Sequence, residues 1–135
     1  MVFSQRMRQD LEQFILEGAR QITPARLGRL VRQLPGLRLV ATQVTEFPHL
    51  ADQVELLSQL VEDFYSGLSP DIPYTALAEA AFALSYLKKG IDIIPDSISS
   101  VGYADDAAIV NAVFETYKQA FLDYVLARKA REAES

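Results

Sequence analysis

Residues 74–87, YTALAEAAFALSYL, constrain this chain more than any other stretch, because they are apolar nearly all round with Glu79 as the single charge. A helix that is hydrophobic on every side belongs at the centre of a core or inside a membrane. The segment is shorter than the roughly 20 residues that cross a bilayer, so the core position is expected. Its alanines at 76, 78, 80, 81 and 83 let neighbouring helices approach closely. The fold expected around it is all-α, a compact single-domain bundle of five or six helices packed on this central apolar helix. A chain of 135 residues is long enough to form such a core in one domain.

The flanking periodicities supply the other helices. Phe3, Met7, Leu11, Phe14, Ile15, Gly18 and Ile22 recur at steps of three and four, placing one apolar face on a first helix. Thr23 followed by Pro24 reads as an N-cap and a proline at the first helical position, where a missing N–H costs nothing. Leu27, Leu30, Val31 and Leu34 then form a stripe with Arg26, Arg29 and Arg32 opposite it, and Pro35-Gly36 is expected to end this second helix. Leu37, Val40, Val44 and Phe47 continue at helical intervals up to Pro48, although Val40, Thr42, Val44 and Thr45 are β-branched. Leu50, Val54, Leu57, Val61, Phe64 and Leu68 give a broad apolar face to the next helix, with Gly67 as its C-cap and Pro73 in the first turn of the helix after it. A last helix presents Val110, Val113, Phe114, Tyr117, Phe121, Tyr124 and Val125 on one side over about six turns. Residues 127–135 are charged and expected to fray. The domain plan is therefore a basic helical arm over 1–45, a helical core over 50–126 and a frayed tail.

Charge is uneven along the chain. Residues 1–38 carry seven arginines against three acids, net +4, whereas residues 39–106 carry two lysines against eleven acids, net −9. An overall charge of −5 argues against a dedicated nucleic-acid binder, which needs a coherent basic face for phosphate, and leaves open only a local basic face on the N-terminal arm. The arginine face of Arg26, Arg29 and Arg32 has two readings: a solvated helix surface, or a contact for anionic lipid or an acidic protein surface. The absence of cysteine removes disulfides, zinc-thiolate sites and thiol catalysis. His49 is the single histidine, too few for a multi-histidine metal site and without triad partners. The N-terminal MVFSQRMRQDLEQF has charges throughout and no apolar stretch with a cleavage site, so export is not expected. The expected location is cytoplasmic, with or without membrane association.

The unusual chemistry lies between Tyr86 and Val110, in YLKKGIDIIPDSISSVGYADDAAIV, where Asp92, Asp96, Asp105 and Asp106 fall within fifteen residues. Gly90 is expected to end the apolar helix after Lys88 and Lys89, whose charge suits the negative end of the helix dipole. Pro95 favours extended backbone at Ile94, and Asp96 can bond nearby amides. Gly102 precedes Asp105 and Asp106, two acids suited to a first helical turn. The pattern Tyr86, Leu87, Asp92, Ile94, Pro95, Asp96, Ile98, Gly102, Asp105 and Asp106 resembles the YkvA-like family, domain of unknown function 1232. The chain departs from it at Gly90 and Ser99, where that family usually has proline, and at Ile93, where it usually has leucine. The resemblance implies a small helical domain, often bacterial and often associated with membranes, of unestablished biochemical role.

Two function classes follow. In the first the protein is a non-catalytic interaction or scaffold module without cofactor, with a protein partner, a second copy of itself or a peripheral anionic membrane as its contact. Asp92, Asp96, Asp105, Asp106, Pro95 and Gly102 then build a turn. In the second the four aspartates hold Mg²⁺ or Ca²⁺, hard cations that take oxygen ligands and support phosphate or hydrolytic chemistry. Helix-start and turn aspartates are common, and catalytic partners are missing from the sequence, so the first class is favoured.

Overall fold

The structure is a computed structural model, and its described residues are 5–69, 71–93 and 104–134, with side chains described from residue 9 and omitted at 90–93 and 104. Six helices make up the described chain: α1 Gln5–Ala19, α2 Pro24–Thr42, α3 Leu50–Tyr65, α4 Tyr74–Ile93, α5 Ala104–Thr116 and α6 Lys118–Ala133. Among the described residues there is no strand. The fold is an all-α bundle.

Helix α4 is the centre. It packs against α1, α2, α3 and α5, and Ala76, Ala80, Ala81, Ala83, Leu84 and Leu87 are completely buried along it. Short alanine side chains admit helices on several sides, while each fully buried leucine contributes about 1.5–3 kcal/mol of transfer free energy. Glu79, buried within this apolar surface, accepts a hydrogen bond from the Tyr117 hydroxyl. Burial raises the Glu79 pKa, against the lowering effect of that bond, and nearby Glu12 adds repulsion.

The helix ends follow local chemistry. Thr23 Oγ1 accepts from the Arg26 amide at 3.2 Å with Pro24 next to it. At the end of α3, Gly67 takes φ +83°, the Leu68 N–H donates to the Asp63 carbonyl at 2.8 Å, and the Gly67 N–H donates to the Phe64 carbonyl at 3.1 Å. That pair of bonds is a Schellman closure, which satisfies two otherwise unpaired carbonyls.

Several boundaries differ from the sequence expectation. Pro35 does not end α2, which runs through it to Thr42. Proline inside a helix costs about 3 kcal/mol, and tertiary contacts offset this: Leu34, Leu37 and Ala41 are buried on either side. Arg38 then fastens α2 to α3 by a bidentate pair with Glu62 at 2.7 and 2.9 Å and a bond to Glu55 at 2.6 Å. Gly90 does not end α4, which continues to Ile93. The final helix is interrupted at Tyr117, with φ −114° and ψ 27°. Backbone bonds from Tyr117 to Val113 and from Phe121 to Tyr117 carry across this point, so it is a kink. It turns the Tyr117 hydroxyl to Glu79 while Phe121 and Tyr124 remain on the core.

Helix α6 continues to Ala133, through residues assigned to a fraying tail on sequence grounds. Asp63 Oδ2 accepts from the Tyr124 hydroxyl at 2.6 Å, from Arg131 Nη2 at 3.2 Å and from Arg128 Nη1 at 3.4 Å. Arg131 Nη1 also donates to the Leu68 carbonyl at 2.9 Å. These bonds tie the last turns of α6 to the end of α3.

Candidate functional site

A groove of about 570 Å³ runs between α1, α2 and α4. Its floor is aromatic. Phe14 of α1 meets the Phe82 ring at 5.5 Å and 70° and the Tyr86 ring at 5.8 Å and 89°, while Phe82 and Tyr86 lie 6.1 Å apart. Edge-to-face rings at these separations attract one another beyond their area burial. Phe14 is nevertheless 45% exposed.

Basic residues rim this floor. Arg26 and Arg29, one turn apart on α2, and Lys88 and Lys89 on α4 line the groove, with Glu17 as the acid among its lining residues. Arg26 Nη1 donates to the Gln21 carbonyl at 3.2 Å, so its guanidinium is held against the α1–α2 turn. Arg32 lines an adjoining hollow that shares Gln33 and Lys88 with the groove. A chain of net charge −5 thus gathers four cations around one aromatic trough.

Gly18 sets the separation of α1 and α4 here. A Cβ at this position would stand well inside van der Waals contact of three carbons of the Phe82 ring. Gly18→Ala is therefore expected to push that ring out of the aromatic trio. Overpacking costs about 1–3 kcal/mol, offset by the roughly 1 kcal/mol gain in helix propensity, so a net loss near 1 kcal/mol is expected in urea unfolding. An unchanged midpoint would show that Phe82 moves aside freely.

The aspartates divide differently. Asp105 and Asp106 open α5, Asp105 exposed and Asp106 only 2% exposed. Asp106 Oδ2 has no hydrogen-bond partner among the described residues. Burial, reinforced by the neighbouring Asp105 charge, pushes the Asp106 carboxyl up to about 7. The same two acids, after burial, raise the Tyr86 phenol. The backbone of Asp92 belongs to α4, but its side chain, together with Pro95, Asp96 and Gly102, lies outside the described residues. Among the described residues no three His, Cys, Asp or Glu side chains converge as a metal site would require.

Sequence reasoning singled out Arg26 and Arg29 but missed their partners. Lys88 and Lys89 were read as dipole charges and Phe14 as core. A usable signal was present, since Phe82 and Tyr86 are four residues apart and Ser85, Lys88 and Lys89 follow on neighbouring helical positions.

Residues 76–112, from α4 through most of α5, match the model of a family described as protein of unknown function, DUF1232. The chain is also similar to the uncharacterized membrane protein YkvA of Bacillus subtilis (strain 168), 30% identical over 66 residues that cover 49% of this chain. The match spans 62% of that relative's length. No solved structure matches the chain. Among the described residues, no helix is long and apolar enough to cross a membrane. The motif around the α4–α5 connection, the family model over residues 76–112 and the relative all point to one likeness: this part of the chain resembles the YkvA-like DUF1232 proteins of unknown function.

Proposed function

We propose that this protein is a non-catalytic interaction module that docks peripherally on an anionic membrane surface through the groove between α1, α2 and α4. One observation carries the reading: Arg26, Arg29, Lys88 and Lys89 surround one trough on a chain whose net charge is −5. Each lysine or arginine near an anionic leaflet contributes about 1 kcal/mol, and the attraction falls off within a Debye length. The aromatic floor offers apolar contact beneath the charges, as interfacial aromatics do at the headgroup level. The relative's description as a membrane protein agrees with this placement.

Sedimentation with vesicles tests it. The protein is expected to pellet with phosphatidylglycerol-containing vesicles and not with pure phosphatidylcholine, and to be released by salt as exposed charges become screened. Reversing two cations in Arg26→Glu/Arg29→Glu removes about 2 kcal/mol or more, a loss of at least tenfold in binding. Equal binding to neutral and acidic vesicles, or none to either, would remove the proposal.

A further inference from the structure

A second, smaller hollow of about 230 Å³ adjoins the cationic groove, and Ile22 lines both. It opens between the start of α2, the end of α3 and the start of α4, and among the described residues no charged side chain lines it. Leu27, Phe64 and Leu77 form its apolar wall, and Tyr65 and Tyr74 stand at its mouth. Both tyrosines are more than half exposed, at 54% and 62%. The position of Tyr65 is built into the fold. A Cβ on Gly28 would stand 2.9 Å from its hydroxyl, so α2 is shaved at that residue to let the phenol lie across it.

The boundary between charge and apolar surface passes through one turn of α2, with Arg26 on the groove and Leu27 in the hollow. Cations on one side and an uncharged hollow fringed by two phenols on the other match the layered chemistry of a bilayer surface, phosphate first and hydrocarbon beneath. We infer that the hollow takes hydrocarbon of the anionic bilayer whose phosphates the groove engages, with Tyr65 and Tyr74 seated at headgroup depth. The inference rests on the membrane reading above and adds to it an orientation: the α1–α2 turn and the start of α4 face the bilayer.

The chain contains no tryptophan, so Tyr74→Trp supplies a single emission reporter at an exposed position. With phosphatidylglycerol/phosphatidylcholine vesicles carrying brominated acyl chains, its emission should shift to the blue and be quenched, and both effects should vanish in high salt. In parallel, Tyr65→Ser/Tyr74→Ser should weaken vesicle binding several-fold while leaving its salt dependence intact, because no charge is removed. Unquenched emission from protein that still pellets with acidic vesicles would overturn the inference and leave the groove reading standing. Absence of pelleting would overturn both. A blue shift in the absence of vesicles that grows with protein concentration, matched by dimer in sedimentation velocity, would place a second copy of the chain over the hollow and overturn the lipid assignment.

Discussion

Asp63→Ala is expected to destabilise the fold by about 2–4 kcal/mol and to loosen α6 more than any other helix. Asp63 stands in the last turn of α3, where a carboxylate faces the negative end of the helix dipole, and it is 8% exposed. Such a position is tolerated because Oδ2 receives the Tyr124 hydroxyl and both the Arg128 and Arg131 guanidinium groups. The Tyr124 hydroxyl, itself an acceptor for Arg128 at 3.1 Å, is pushed up to about 12, chiefly by burial and then by its bond to Asp63. Removing the carboxylate leaves that buried hydroxyl without its acceptor and takes away the anion that the two guanidinium groups share, although Arg128 keeps Glu132 and Arg131 keeps the Leu68 carbonyl. Both arginine side chains are partly exposed, at 29% and 37%, and regain water. The loss therefore falls at or just below the lower end of the range for breaking a buried pair, about 3–5 kcal/mol. Thermal melting gives the total, and amide hydrogen exchange locates it. Amides of 118–133 should exchange faster while those of α4 keep their protection relative to the global unfolding limit. A parent-like melting temperature would mean that Phe121 and Tyr124 hold α6 by packing alone.

How far the fold could be read from residues depended on the range of the interaction that decides each feature. Thr23-Pro24 and Gly67 act on amides within three or four positions, and both boundaries stand where the sequence places them. The amphipathic stripes translate largely into buried faces, with Phe14 and Leu68 left exposed and the Phe3 and Met7 side chains outside the described residues, and the apolar segment of α4 becomes the centre. Pro35 went the other way. What keeps α2 helical beyond it is Arg38 bound to Glu55 and Glu62, seventeen and twenty-four residues distant. The kink at Tyr117 answers to Glu79, thirty-eight residues earlier. No local propensity encodes either partner.

The candidate site shows the same division. The arginine face was legible because it follows a single helix periodicity. The groove was not, since it needs two more helices brought together at Gly18. Asp105 occupies the exposed first-turn place that an acid normally takes, whereas Asp106 is turned into the bundle by the next 100° of helix. Dipole reasoning alone gives the two residues the same role, and only packing separates them.

That separation yields an opposite expectation for Asp106→Asn, which should make the protein more stable above neutral pH. Below about pH 4 the carboxyl is protonated in the folded and unfolded chains alike, and burial penalises nothing. As pH rises from the ordinary value of 3.8 to about 7, the unfolded chain releases its proton while the folded chain retains it. Stability falls through this window and the loss is complete once the folded form ionises above about 7. At 1.36 kcal/mol per pH unit the ceiling is about 4 kcal/mol. Solvent relaxation around an ionised carboxylate lowers this, so a gain of about 1–3 kcal/mol for Asp106→Asn at pH 8 is expected, with the difference vanishing or reversing near pH 4. Comparing parent and variant at each pH cancels the titration of all other groups. If the asparagine variant were instead less stable at pH 8, the carboxylate would have to be ionised and satisfied in the fold. Mg²⁺ or Ca²⁺ would then tell the two sources of satisfaction apart. A cation-dependent rise in melting temperature, seen in the parent and lost in Asp106→Asn, identifies a ligand, whereas no response to either cation identifies a helix-start acid held by backbone amides. The buried Oδ2, without a hydrogen-bond partner among the described residues, argues for neither, and for a carboxyl that keeps its proton up to neutral pH.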